Sequence, residues 1–509
     1  MITELSQPLG AFSEWIRTED VHAAYHLQLL DQAQRVLEGG ETVSATKRAQ
    51  LAERLERWRY QWLSERQGQL RPKDLQLAEA LDLAANRLAG RPDRPPRSVR
   101  KVLWDPHFHQ DLIQQAEAGL DPGFPLDRLV AQAQQMTQQH FGLPGPEESG
   151  SGTRRMFLYA PLYLSNYCIN YCLYCGFRYP EQIPRRQLSV QEALQEAEVL
   201  YRWGFRHLLL VAGDFPSRTH LDYLTDIVRR LHQRGFQLAV EIAPQTTSAY
   251  EALRATGVCG VTLYQETYQE DFYYQYHPRG VKSAYDWRLE GLERAAEAGM
   301  GRLGLGILLG LAPPEQDLLA MLRHALYLHQ RFPDRILAFS LPRIHDAPSS
   351  FRIPYPVTDE QLVRFYCVLR IAFPWAELVL STREPAWLRN RLAKICITQM
   401  SAGSSTAPGG YVEKDLFYQQ KGALSEACQP TSFCNILPAK AFQSSESPCL
   451  LESSEAARAT EVANGGLHRR PGEQFPVADN RSPAEVADWL RSEGFQIVWQ
   501  GEEPAQAAE

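Results

Sequence analysis

The sequence predicts an α/β protein built on a full or partial (β/α) barrel, with an α-helical extension before it and a segment carrying a polar insertion after it. Two observations predict the barrel. From residue 156 to about 400, short apolar runs alternate with amphipathic stretches of helical period, the pattern of repeated βα units on a parallel sheet. A triplet of cysteines, Cys168, Cys172 and Cys175, directly follows the first apolar run, and (β/α) barrels carry their working residues where strands end and loops begin.

Taken in order, residues 1–141 read as a helical extension. Lys47–Leu70 and Leu126–Phe141 place apolar residues at helical spacing among Arg, Glu and Gln, which marks amphipathic helices. GRPDRPPRSVR (90–100) interrupts them as a Pro- and Arg-rich breaker. The extension is expected either to dock a partner or to cap the main domain. Residues 142–155, GLPGPEESGSGTRR, form a linker and the main boundary.

The barrel is expected over 156–400. Its strand candidates are Phe157–Leu164, His207–Ala212, Gln237–Ile242, Gly260–Tyr264, Arg302–Leu309, Ile336–Leu341 and Glu377–Ser381. Between them lie helix candidates Ser189–Trp203, His220–Arg234, Ala284–Ala298, Gln316–Gln330 and Asp359–Ile371. The alternation stops in the C-terminal region, 401–509. There residues 418–472 read as a polar, partly disordered insertion, and Ser482-Pro483 suits the start of a last helix.

Composition narrows the function classes. A 509-residue chain with 44% hydrophobic and 22% charged residues is ordinary for a globular protein with a sizeable core. A formal net charge of −7 gives no reason to expect a nucleic-acid or acidic-membrane partner. No apolar run approaches the ~18 residues of a membrane helix, and the acidic N-terminus does not read as a secretory signal. Nine unevenly placed cysteines indicate a reducing compartment; a cytoplasmic protein is expected.

The CxxxCxxC triplet carries the chemistry. Three thiolates within eight residues can hold three corners of an iron–sulfur cluster and leave the fourth iron open. A structural zinc site needs a fourth ligand close by, and the nearest upstream His is His140; zinc or buried free thiols are the alternatives. LLLVAGD (208–214) ends a strand in a small turn with a carboxylate, Asp214, for which a helix N-cap is the alternative. Gly304 and Gly306 lie along a strand where missing side chains let a flat ligand approach, or where helix and strand pack tightly. Gln265 and Glu266 close the fourth strand, and Arg288 follows on a helix. All three suit a barrel mouth, with a structural ion pair as the rival. Arg343, after the sixth strand, has the planar fork that clamps a carboxylate; a surface salt bridge is its alternative. Cys259, Cys367 and Cys396 read as buried small hydrophobes.

The motifs LYAPLYLSNYCINYCLYCGFR (158–178), LLLVAGD, YQETY (264–268), YDWRLEGLERAAEAGM (285–300), GLGILLGL (304–311), FSLPRIHDAP (339–348), LVLSTRE (378–384) and SAGSSTAPGGY (401–411) occur in this order. Together they resemble the tyrosine-lyase branch of the radical S-adenosylmethionine (SAM) superfamily, over roughly 156–417 and 474–500. That branch holds the thiamine-pathway 2-iminoacetate synthase and a hydrogenase maturase.

The resemblance implies a radical SAM (β/α) barrel with a [4Fe-4S] cluster on Cys168, Cys172 and Cys175 and Tyr174 beside it. It implies SAM contacts at Gly213, Asp214, Glu266, Arg288, Gly304 and Gly306, with Ala212-Gly213-Asp214 standing where the superfamily has a Gly-Gly-Glu-type segment. It implies a substrate site with Arg343 as carboxylate anchor, Ser340 near it, and Gln265.

The implied reaction cleaves the Cα–Cβ bond of L-tyrosine to 2-iminoacetate (dehydroglycine) and p-cresol, with 5′-deoxyadenosine and methionine as co-products, for thiazole formation. The implied partners are a flavodoxin or ferredoxin as electron donor and a thiazole synthase. A tryptophan lyase, a maturase-like tyrosine lyase, and a non-catalytic iron–sulfur scaffold or electron carrier are the alternatives. The maturase carries a second cluster near its C-terminus, whereas Cys428, Cys434 and Cys449 lie inside the insertion at a different spacing; this favours the synthase.

Overall fold

The computed structural model describes residues 9–66, 69–92, 97–143, 154–347, 351–427 and 472–499. The N-terminal helices are α1 (Ser13–Glu19), α2 (Ala23–Leu37), α3 (Ala45–Glu65), α4 (Pro72–Leu88), α5 (Val99–Val102), α6 (Gln110–Leu120) and α7 (Leu126–Phe141). They divide by what they bury. Helices α1–α4 enclose a core of their own around Leu55, Trp58, Trp62, Leu77 and Leu81. Residues of α5–α7, such as Val99, Ile113, Leu120 and Leu129, belong instead to the core around the sheet, where α6 packs on α14 (Pro314–Arg331) and α15 (Asp359–Ala372), and α7 on α15 and α16 (Ala386–Ile395).

The sheet is a closed parallel barrel. Its strands are β1 (Arg154–Ser165), β2 (His207–Ala212), β3 (Gln237–Glu241), β4 (Val258–Thr262), β5 (Arg302–Gly306), β6 (Ile336–Ser340), β7 (Glu377–Leu380) and β8 (Gln399–Ser401). They pair in chain order, and β1 closes the ring by pairing with β8 at Phe157–Tyr159 and with β2 from Ala160 onward. The remaining helices are α8 (Val190–Arg202), α9 (Leu221–His232), α10 (Thr247–Ala255), α11 (Glu270–Tyr276), α12 (Tyr285–Leu289), α13 (Gly291–Glu297), α17 (Gly410–Ala427) and α18 (Pro483–Ser492).

A ninth strand, β9 (Phe495–Val498), pairs with Arg154–Phe157 of β1, ahead of the point where β2 takes over. The Arg206 N–H donates to the Trp499 carbonyl at 3.2 Å and joins the two. Strand β9 therefore extends the sheet beside the start of its first strand.

The expected strands all form, within a few residues of their expected bounds. The sequence reading misses β8 and β9, which are too short to show a period, and α10, α11 and α16. Long amphipathic helices announce themselves better, three of them with capping boxes that satisfy orphan N–H groups: Ser189/Glu192, Thr358/Gln361 and Ser482/Glu485. Helix α17 runs to Ala427, so the first residues of the expected insertion are helical; Cys428, Cys434 and Cys449 lie outside the described residues.

Side chains fill the barrel as in a packed core, leaving a cavity of about 20 Å³ lined by Tyr159, Thr262, Tyr264 and Ser340 among others. At the bottom, Arg302 donates to Glu377 and to Gln399, both at 2.6 Å. His207 closes this plug, and burial holds its imidazole neutral by lowering its pKa to about 3. Chemistry is left to the opposite mouth.

Candidate active site

The loop after β1 carries Cys168, Cys172 and Cys175 as free thiols, Cys172 buried and the other two partly so. Backbone bonds stitch it to its surroundings. Ile169 N–H donates to the Asp214 carbonyl at 3.0 Å, Tyr171 to Arg279 and Leu173 to Tyr276, both at 3.1 Å. Asn170 is the pivot, since its Nδ2 donates to the Asp214 carboxylate at 2.7 Å and its Oδ1 accepts from the Lys282 N–H at 3.0 Å. The backbone at Gly280 passes so close that a Cβ there would lie 2.2 Å from Asn170 Oδ1, and its φ of +98° favours glycine as well.

The donor set fits an iron–sulfur cluster. Three soft sulfurs face one another's charge at the strand mouth. Among the described residues, no three His, Cys, Asp or Glu side chains converge as they would on a single metal ion; a cuboidal cluster is bound by thiols that stand further apart. Burial, then neighbouring charge including Asp214, pushes the Cys168 thiol up to about 12, so loading metal there releases protons.

Tyr174 packs between this loop and α11. Its hydroxyl meets His277 Nε2 at 2.8 Å, while His277 Nδ1 lies 2.7 Å from the Tyr273 carbonyl. A carbonyl only accepts, so Nδ1 carries the proton and Nε2 accepts from Tyr174. Burial, and then the charge of Lys282, lowers the His277 pKa well below the usual range, consistent with that neutral tautomer.

Asp214 follows β2 and caps no helix, since α9 starts at Leu221 with His220 as its N-cap; the N-cap alternative falls. Gly213 lies under Tyr167, whose carbonyl oxygen would be 2.4 Å from a Cβ. Glu266 sits in the left-handed region at φ +73°, uncommon for a non-glycine residue and held here by its contacts. Its carboxylate is 2.5 Å from Lys282 Nζ and 3.5 Å from Arg288, and Arg288 Nε donates to the Tyr264 carbonyl at 2.6 Å. The buried amide Nε2 of Gln265 has no hydrogen-bond partner among the described residues. Gly304 and Gly306 face Thr262 and Tyr264 across β4: a Cβ would come within 2.5 Å of Thr262 Oγ1 and 2.3 Å of the Tyr264 ring. Ser340 closes β6 and lines the barrel cavity beside Tyr264.

The Arg343 fork, expected to face a substrate carboxylate, is engaged within the chain: it pairs with Glu384 through two nitrogens, with Asp359 at 2.8 Å and with the Val357 carbonyl at 3.0 Å. Burial works against the charge on Glu384, but His345 and Arg343 prevail and hold it at about 2. Arg383, after β7, is stacked 3.4 Å over the Phe475 ring, with no carboxylate in ion-pair distance among the described residues. Its charge reaches Glu241, Tyr163 and Tyr264.

Glu241, ending β3, is the second residue the sequence reading passes over. Burial, then the Glu266 charge, raises its pKa to about 7. Arg383 and Asn170 stood inside quoted motifs and could have been found there. Nothing in the sequence marks Glu241 or His277.

Of the three other described cysteines, Cys367 and Cys396 are buried and touch each other, while Cys259 is partly exposed and donates to the Leu238 carbonyl at 3.2 Å. Among the described residues no helix is long and apolar enough to cross a membrane.

A parallel (β/α) barrel with a three-cysteine cluster loop at its mouth defines a radical enzyme class, and comparison places the chain within it. The radical SAM superfamily model matches residues 162–325, and the biotin and thiamin synthesis associated domain matches 340–496. The chain is 36% identical over 290 residues to 2-iminoacetate synthase of Escherichia coli K12, covering 57% of this chain and 74% of that protein. It is 32% identical over 348 residues to 2-iminoacetate synthase of Salmonella typhimurium LT2, covering 68% and 88%. The X-ray structure of the FeFe-hydrogenase maturase HydG from Carboxydothermus hydrogenoformans superposes with a TM-score of 0.59 at 30% identity, over 79% of this chain and 82% of that one. The chain belongs to the radical SAM superfamily, in the family of the 2-iminoacetate synthases.

Proposed function

We propose that this protein is a radical SAM lyase that cleaves the Cα–Cβ bond of L-tyrosine to 2-iminoacetate and p-cresol, with 5′-deoxyadenosine and methionine as co-products, for thiazole formation. The observation that carries this reading is the cysteine loop at the mouth of a barrel whose sequence is related along most of its length to 2-iminoacetate synthases. The [4Fe-4S] cluster and SAM, when bound, supply the electron and the adenosyl radical. The chain's own residues bind, orient and exclude water.

In this reading Cys168, Cys172 and Cys175 hold the cluster, and Tyr174, fixed by His277, packs beside it. Asp214 and Glu266 receive the cationic end of SAM, and Gly213, Gly304 and Gly306 leave room for it, with Arg288 orienting Glu266. The tyrosine carboxylate goes to Arg383, the mouth guanidinium without a carboxylate partner, rather than to Arg343. Glu241 faces the substrate amine, and Gln265 and Ser340 line the pocket. A reduced flavodoxin or ferredoxin delivers the electron, a thiazole synthase takes the product, and both meet the enzyme in the cytoplasm.

The test is anaerobic incubation of the reconstituted enzyme with SAM, a reductant and either tyrosine or tryptophan. Tyrosine is expected to yield p-cresol and 5′-deoxyadenosine together, and Cys172→Ala to yield neither. Consumption of tryptophan with tyrosine untouched would reassign the substrate.

A further inference from the structure

The reading above leaves the N-terminal helices without a task, yet the arginines of α3, of α5 and just ahead of α5 converge on one short stretch of the barrel, 286–297. Helix α3 packs directly on α12. Arg59 of α3 forms a two-pronged pair with Glu290, one prong at 2.7 Å, with both side chains almost wholly buried. Its Nε is tied to the Ala78 carbonyl of α4 at 2.9 Å. Tyr60 lies against Trp287, ring centres 4.9 Å apart. Arg100 of α5 reaches Asp286 at 2.7 Å and Glu270 at 2.5 Å. Arg97 joins Asp82 of α4 to Glu297 of α13, each at 2.6 Å.

The residues gripped, Asp286, Trp287 and Glu290, flank Arg288. That side chain points the other way, to the Tyr264 carbonyl and Glu266 at the barrel mouth. The helix carrying it is only five residues long, too short to hold its own orientation.

Buried ion pairs are poor sources of stability, because desolvating two charges offsets most of their attraction, and apolar replacements often do as well. What such a pair does supply is a defined geometry. Cations from α3 and α5 hold α12 from outside, on either side of a residue whose task lies inside.

We propose that the N-terminal helical module is a positioning element of the reaction: Arg59 and Arg100 fix α12 so that Arg288 sets Glu266 and the Tyr264 carbonyl at the mouth. This rests on the reading that Arg288 and Glu266 line the SAM and substrate site.

The experiment uses the full-length, cluster-loaded enzyme in four forms beside wild type. They are Arg100→Gln, on a side chain 28% exposed, where the glutamine amide can still donate to Asp286; the double variant Arg59→Met with Glu290→Leu, which removes both buried charges and keeps apolar bulk; Arg288→Gln; and Arg100→Gln combined with Arg288→Gln. Iron content and melting temperature report the fold. The readouts are the KM for SAM and the ratio of p-cresol to 5′-deoxyadenosine, which a merely structural contact would not move.

The expected result is a threefold or greater change in either readout for Arg100→Gln and for the Arg59/Glu290 variant at unchanged iron content. Arg288→Gln changes the same readout at least as far, and adding Arg100→Gln to it changes nothing more, because the two act through one residue. If Arg288→Gln moves the readouts while the outer variants leave them within twofold, or if the effects simply add, the positioning role is overturned and the site reading stands. If Arg288→Gln itself moves neither readout, the site reading falls and the inference falls with it.

Discussion

Two arginines that follow adjacent strands, β6 and β7, show what the residue scale decides. Arg343 and Arg383 both follow strands, and both could clamp a carboxylate. Arg343 is already paired with a buried Glu384. Arg343→Ala leaves that buried carboxylate with His345 as its remaining partner, and should cost about 3–5 kcal/mol of stability, read as a lower melting temperature. Arg383→Ala should spare stability and weaken tyrosine binding by about 1.5–3 kcal/mol, the worth of a charged hydrogen bond, while slow uncoupled SAM cleavage persists. Equal tyrosine affinity in wild type and Arg383→Ala would move the anchor elsewhere.

Glu241 makes a prediction in pH. Its carboxyl titrates near 7 in the folded protein, above its ordinary value of 4.5, so the native state holds a proton that the unfolded chain has lost. Native stability therefore falls as pH rises from about 4.5 to 7, and the penalty is complete above that. Glu241→Gln removes it: its melting temperature should match wild type near pH 4, gain on it through this window, and stay above it by a constant margin at pH 8. A difference that shrinks with rising pH would contradict the assignment. The substrate's ammonium, arriving at an ionised Glu241, would relieve the same penalty.

At the scale of elements, the mouth depends on strands that carry too little rather than too much. In β5, Gly306 lies under the Tyr264 ring and 2.7 Å, from a would-be Cβ, from the Ser340 carbonyl. Backbone and a buried ring cannot both retreat. Gly306→Ala should therefore cost about 1–3 kcal/mol by overpacking, and should raise the SAM KM by displacing Tyr264 and Ser340 together. An unchanged melting temperature would mean that the ring has room to turn. The cluster loop shows the converse dependence. It has no regular structure of its own, and its shape comes from bonds to Asp214, Tyr276 and Arg279, which belong to two other connections.

For the whole molecule, the insertion gives the remaining prediction. Residues 418–472 are polar and poor in large apolar groups, and the spacing of Cys428, Cys434 and Cys449 matches no short iron–sulfur or zinc pattern. Replacing all three with Ala should leave about four irons per chain, one cluster's content, with tyrosine cleavage intact. Loss of roughly half the iron, with a further product missing, would favour the maturase-like alternative.

The sequence by itself determined the barrel, the cluster loop and the family. Apolar period and cysteine spacing are local properties, written within a dozen residues and readable without knowing what lies opposite. Long helices such as α8 and α14 were legible for that reason, while β8, three residues long, was not. Only the tertiary structure decided which charges are spoken for. That Arg343 is paired while Arg383 has no carboxylate partner among the described residues, that Glu241 is crowded by Glu266, and that α5–α7 join the barrel core while α1–α4 keep their own depend on neighbours far along the chain, as Gln134 and Lys394 are at 260 positions apart. Hydrogen bonds and desolvation act through space at a few ångström, and no spacing along the chain encodes them.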